Sequence, residues 1–185
     1  MSDFINDLAK RLTRFDPRRI TVERRREASV LISMFVLDDE PAFLLTKRSE
    51  NLAVYSGHIS FPGGMREGDD ASQVDTALRE TGEELGIENR RIRVLGEFHD
   101  YLSNDGVVVH TVLGFLEDVR ELRPHPDEVE YLLRVPLSFF TGRPPRTEEW
   151  ERGGERFEVY FYDFEGEVIW GLTARMIKNL VDQLI

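Results

Sequence analysis

Residues Gly63 to Ile87 read "GGMREGDDASQVDTALRETGEELGI". Asp70 with Gln73 three residues on has the form of a capping box, and Gly86 after Leu85 that of a glycine stop, so the spacing predicts a helix from Ala71 to about Leu85. At about 100° per residue, Val74, Ala77, Leu78, Thr81 and Leu85 make the inward stripe, and Glu80, Glu83 and Glu84 share the neighbouring sector. Like charges so spaced cost an isolated helix roughly 0.2–0.5 kcal/mol per pair. Arg79 is the only cation within the helix. A hard divalent cation is the natural counter-charge, because Mg²⁺ takes oxygen ligands and is usually held by one or two carboxylates together with substrate phosphates. A lone acidic run is more often a solvated face. Against that stands the Gly63–Gly64 turn before the helix, where backbone can approach a ligand closely.

Outward from this helix, "ASVLISMFVL" (28–37) and "AFLLTKR" (42–48) are β-rich runs joined by "DDEP", which predicts a hairpin. "RIRVLGEF" (91–98) and "VVVHTVLGFL" (107–116) repeat the pattern around the turn cluster "SNDG". An N-terminal helix is expected over about residues 3–15, where Phe4, Ile5, Leu8, Leu12 and Phe15 recur at helical spacing. "EVEYLLRVPLSFF" predicts a strand running into a short helix, followed by a mobile Pro/Arg/Gly-rich loop from Gly142 to Gly154. A hairpin turning at Glu165 and Gly166 then leads to a closing helix over about 171–184, with Leu172, Met176, Leu180 and Leu184 on one face. The order of helix, strands, helix, strands, helix predicts an α+β fold, a mixed β-sheet flanked by helices. No repeat or linker divides the 185 residues, so one domain spanning 1–185 is expected.

Composition narrows the function. A formal net charge of −11 disfavours nucleic acid and anionic membrane as partners. With no cysteine there is no thiolate nucleophile, disulfide or Cys-built zinc site. His58, His99, His110 and His125 lack metal-ligand spacing, and neither a Walker loop nor a nucleophile elbow is present. The longest apolar run falls far short of a membrane span and the N-terminus has no signal-peptide pattern, so a soluble cytoplasmic protein is expected.

The helix and its approach resemble the signature of Nudix hydrolases: a glycine, five residues, Glu, seven residues, then R-E-U-x-E-E-x-G-U with U apolar. Arg79, Glu80, Thr81, Glu83, Glu84, Gly86 and Ile87 match the second half, Thr81 replacing an aliphatic residue. In the first half the spacing from Gly64 to Arg79 is one residue longer, and Asp70 stands near the expected Glu, as a ligand or only as the helix N-cap. Upstream, "LLTKRSENLAVYSGHISFPGG" (44–64) is similar to the LLTxRS...GxxxFPGG motif of the coenzyme A pyrophosphatase branch, and the resemblance extends over most of the chain from about Glu27. Two positions depart. Ala53 stands where the motif has Arg, and Tyr55 where it has His.

The resemblance implies a Nudix-type α/β/α sandwich and hydrolysis of a small-molecule diphosphate, coenzyme A first, with Mg²⁺ or Mn²⁺. It implies Glu80 and Glu84 as primary metal ligands, Glu83 as third ligand or general base, and Arg79 as the group that orients a carboxylate. Arg48, Arg66, Gly63 and Gly64 are the substrate-binding candidates, and Tyr55, Tyr101 and Trp150 are candidates to stack on adenine. Glu128 and Glu130 read as surface acids on a strand edge. Ala53 prompts a second reading, ADP-ribose or another nucleoside diphosphate derivative. A reading from a different class is a non-catalytic nucleotide sensor of the same fold.

Overall fold

The computed structural model describes residues 2–21, 26–52 and 54–185. Ala53, the departure from the motif arginine, therefore lies outside the described residues. Helix α1 (Ser2–Leu12) precedes strands β1 (Glu27–Leu37), β2 (Glu40–Arg48), β3 (Ile59–Ser60) and β4 (Gly63–Met65). Helix α2 (Gln73–Leu85) leads to β5 (Ile92–Glu97), β6 (Tyr101–Leu102), β7 (Val108–Leu116) and β8 (Val129–Pro136). The chain finishes with α3 (Leu137–Gly142), β9 (Arg146–Arg152), β10 (Glu155–Phe164), β11 (Glu167–Trp170) and α4 (Gly171–Leu184).

Strand β1 is nearly continuous in apolar residues because both of its faces are covered. It pairs antiparallel with β2 and β4 and parallel with β7, in a mixed sheet ordered β3-β2-β1-β7-β5, to which β4, β6 and β8 add. The expected β1–β2 hairpin turns at Asp38 and Asp39, both at positive φ (47° and 67°), the handedness that lets a two-residue turn follow the strand twist. On one face Leu31, Phe35 and Leu44 meet Ala77 and Leu85 of α2. On the other, Ile32, Met34 and Phe43 pack with Ile5 and Leu8 of α1, Phe140 of α3 and Met176, Ile177 and Leu180 of α4. Helices thus cover both faces of a mixed sheet, which is the expected α+β sandwich.

Several expectations need correction. Helix α1 ends at Leu12, because Phe15 leaves the helix to stack on Phe98 at 5.0 Å. The N-cap of α2 is Ser72, whose hydroxyl accepts from Asp75 N, and Asp70 is free for another task. Gly86 does end the helix, at φ 64°, its N–H donating to Gly82 O. The expected loop of 142–154 contains strand β9, paired in full register with β10, and all of its side chains are exposed. Its carrier sheet, β9-β10-β11, packs on the helices through the other face, where Tyr162 meets Phe140 at 5.0 Å and Ile169 is wholly buried.

Candidate active site

The site lies where β4 and the loop after it press against α2. Gly63 and Gly64 make this approach possible. At Gly63, φ is 152° and an added Cβ would sit 2.3 Å from Ser29 O and 2.6 Å from Val30 Cα of the neighbouring strand. At Gly64 a Cβ would fall 2.4 Å from Glu80 Oε2, so the missing side chain is the room the carboxylate occupies. Gly63→Ala combines a strained φ with a clash against fixed backbone, and its expected cost is roughly 2–4 kcal/mol, read as a lowered urea midpoint at unchanged slope.

Asp70 is the anchor of the loop. Its carboxylate accepts from Arg79 Nε and Nη2 (each 3.0 Å), Thr76 Oγ1 (3.0 Å) and Glu67 N (2.9 Å). The Arg79 guanidinium first, and the Glu67 amide second, hold it well below the usual carboxylate range. It is 8% exposed and is a partner of Arg79, not the cap of the helix. Arg79 reaches onward from it, with Nη2 donating to Met65 O (2.9 Å) and Nη1 lying 3.0 Å from Glu80 Oε1 and 2.9 Å from Glu83 Oε2. A single guanidinium thus ties β4, the loop and two acids together.

The three helix acids are not equivalent. Glu84 is 2% exposed; burial pushes its pKa up to about 8, with Arg48 and the Gly63 amide opposing and the charges of Glu80 and Glu128 adding to the rise. Arg48 Nη1 lies 3.6 Å from Glu84 Oε1, yet Glu84 Oε2 and Arg48 Nε are buried without a hydrogen-bond partner. Burial also raises the pKa of Glu80, with Arg79 opposing. Glu83 turns outward to Arg79, its side chain 56% exposed.

Of the other expected residues, Arg48, Gly63, Gly64 and Arg79 gather around Glu80 and Glu84. Arg66 stands at the edge, donating to Glu27 Oε2 (3.0 Å) and Asp70 O (3.4 Å). Tyr101 is 3% exposed, its hydroxyl accepting from Asn179 Nδ2, so it has no face to offer adenine. Glu128 is the residue the sequence underrates. Half-buried in the turn just before β8, with its carbonyl accepting from Ser49 N (2.8 Å), it is close enough to raise the pKa of both Glu80 and Glu84, whereas Glu130 is exposed. Only its place after "HPD" and before an apolar run could have marked it.

The NUDIX domain profile matches residues 26–152. The chain belongs to the Nudix hydrolase family. The Nudix hydrolase NudL of Photorhabdus laumondii is 35% identical over 185 residues, spanning 100% of this chain and 97% of that protein. A MutT/Nudix family protein of Enterococcus faecalis superposes with a TM-score of 0.54 at 18% identity, over 98% of this chain and 74% of the other. The Nudix domain of Shewanella oneidensis NrtR, crystallised with ADP ribose, gives 0.51 at 18% identity, over 74% and 87%. At these identities the two structures show the fold alone.

Nudix hydrolases are pyrophosphohydrolases that work with divalent metal ions on small nucleotide diphosphates. The chemistry of this Nudix site fits such an ion. Among the described residues no three His, Asp or Glu side chains form a ready-made cluster. Glu84 nevertheless offers a buried carboxylate oxygen with no partner, beside a second desolvated carboxylate. Both acids bear a desolvation cost that an oxygen-seeking cation would relieve.

Proposed function

We propose that this Nudix hydrolase cleaves the diphosphate bond of coenzyme A or its derivatives in the cytoplasm, with Mg²⁺ or Mn²⁺, giving 3′,5′-ADP and 4′-phosphopantetheine or its acyl form. The observation that carries this reading is the meeting of the two sequence motifs. Arg48, from "LLTKRS", stands 3.6 Å from Glu84, and Gly64, from "FPGG", leaves the space that Glu80 fills.

Glu80 and Glu84 would hold the cation, with Glu83 or Glu128 at its margin. A divalent ion there would neutralise phosphate charge and lower the pKa of the attacking water. Arg79 keeps the Glu80 carboxylate in place through a charge-assisted contact, and is itself fixed by Asp70. Arg48, 3.6 Å from Glu84, and Arg66 at the rim would offer positive charge to an anionic substrate. Glu83 and Glu128 are the candidate proton acceptors, both peripheral to Glu80 and Glu84.

A substrate panel tests the proposal. Coenzyme A and its thioesters are expected to exceed ADP-ribose and nucleoside triphosphates in kcat/KM. A large margin for ADP-ribose would instead favour the second reading, prompted by Ala53 in place of the motif arginine. Protein inert toward every diphosphate with either metal would favour a nucleotide sensor, against which the retained Glu80, Glu83 and Glu84 speak.

A further inference from the structure

We propose that the outer face of the β9-β10-β11 sheet is the stacking site for the purine base of the substrate, with Trp150 as the ring that receives it. This extends the reading of the substrate as a nucleotide-bearing diphosphate and rests on it.

Register places Arg146 opposite Phe161 and Phe161 opposite Trp170, and strand alternation puts Trp150 on the same face as Arg146. Their rings form one continuous cluster. Phe161 and Trp170 stack at 6.0 Å and 5°, and the Arg146 guanidinium sits 4.3 Å over Phe161. Trp150 meets Trp170 at 5.9 Å and 52°, an open wedge. Phe161 is therefore already engaged by Arg146, Trp170 and Trp150, whereas Trp150 remains 39% exposed. Its indole N–H donates to Glu148 Oε2 at 2.8 Å, which fixes the plane of the ring. A large aromatic ring left in water on a strand otherwise composed of Arg, Glu and Thr is the feature that calls for a ligand.

A chain of contacts runs from the platform toward Glu84. The His58 ring lies 5.0 Å from Trp170, and Arg48 N, on the residue whose guanidinium faces Glu84, donates to His58 O at 2.9 Å. Two further contacts brace it. Arg152 at the end of β9 donates to Asn104 Oδ1 and O (3.0 and 2.9 Å), and the Tyr55 hydroxyl donates to Asp105 Oδ1 (3.0 Å) on the same turn. Strand alternation puts Glu148 together with Arg146 and Arg152 on the Trp150 face of β9, and Glu149 and Glu151 on the other. A purine base has a π-face on which such a ring stacks, and in the substrate it is covalently linked to the diphosphate proposed to lie at Glu80 and Glu84.

Both tryptophans of the chain, Trp150 and Trp170, belong to the cluster, so intrinsic fluorescence reports on it directly. Titration of the full-length protein with adenosine 3′,5′-bisphosphate should give saturable quenching, and 4′-phosphopantetheine should give none. Trp150→Ala should raise KM for the preferred nucleotide substrate on the order of ten-fold with a much smaller change in kcat, and Trp150→Phe should restore most of the loss. Unchanged emission with the bisphosphate, or an unchanged KM in Trp150→Ala, would overturn the proposal. So would a Trp150→Ala protein that loses a dimer while keeping its KM, since the face would then be a contact between copies. A protein that prefers ADP-ribose but still needs Trp150 would discard coenzyme A and keep the stacking site. A coenzyme A enzyme indifferent to Trp150 would do the reverse.

Discussion

Glu84→Gln is expected to lower kcat/KM on the preferred substrate on the order of a thousand-fold or more, with the fold intact. The reason lies in the burial of Glu84. Once an ion displaces its proton, a carboxylate that is 2% exposed, with one oxygen unpartnered, supplies the site with a negative charge and a free oxygen ligand. The amide keeps shape and volume but removes that charge, so a cation loses a ligand without a cavity being made. Circular dichroism and the urea midpoint should show a protein at least as stable as wild type in the absence of metal. An active Glu84→Gln enzyme would remove Glu84 from the proposed metal set, and a variant that fails to fold would be set against Glu80→Gln, whose side chain is more exposed.

The second large effect is a dependence of stability on pH in the metal-free protein. The pKa of Glu84 is raised in the fold to about 8, above the ordinary glutamate value of 4.5. The folded state thus binds this proton more tightly than the unfolded chain does. The stabilisation is fully present below about 4.5 and is lost as pH rises toward about 8. For a group this buried the loss is on the order of 3–5 kcal/mol. Asp70, whose pKa is lowered, works in the opposite sense, supporting the fold above its unfolded pKa and losing that support in acid. The Glu84 contribution is therefore read as the difference between wild type and Glu84→Gln in urea unfolding across this window. The gap should narrow when millimolar Mg²⁺ or Mn²⁺ is added, and binding of the ion at pH 7 should release a proton to buffer. A pH-independent difference between the two proteins would contradict the burial argument.

Much of the fold was legible because local chemistry and tertiary context agree. The β1–β2 hairpin shows two apolar runs around an Asp-rich turn, and α2 shows its stripe, its acids and its glycine stop. What escaped is what depends on partners remote in the chain. Strand β9 carries no buried residue, so no apolar alternation announces it, and pairing with β10 alone makes it a strand. Asp70 fits a capping pattern on spacing, but its role is set by a guanidinium nine positions later that folds back over the loop. Tyr101 stands beside a turn cluster in sequence and under α4 in space. Among the acids, clustering on one helical sector was visible. The division into a buried Glu84, a half-buried Glu80 and an outward Glu83 was not, because Arg79 draws Glu83 away while the segment before β8 delivers Glu128 from another part of the chain.

The parallel pairing of β1 with β7 bears on how the enzyme comes into being. Glu27 lies beside Val108, and every acid of α2 sits on the excursion between them. Closing so long a loop is costly in entropy and is repaid only when both strands are present. On the ribosome, a nascent chain that has emerged only as far as Ile87 holds the complete acidic helix but no β7 to complete the sheet beneath it, so catalytic competence should trail synthesis of the signature itself.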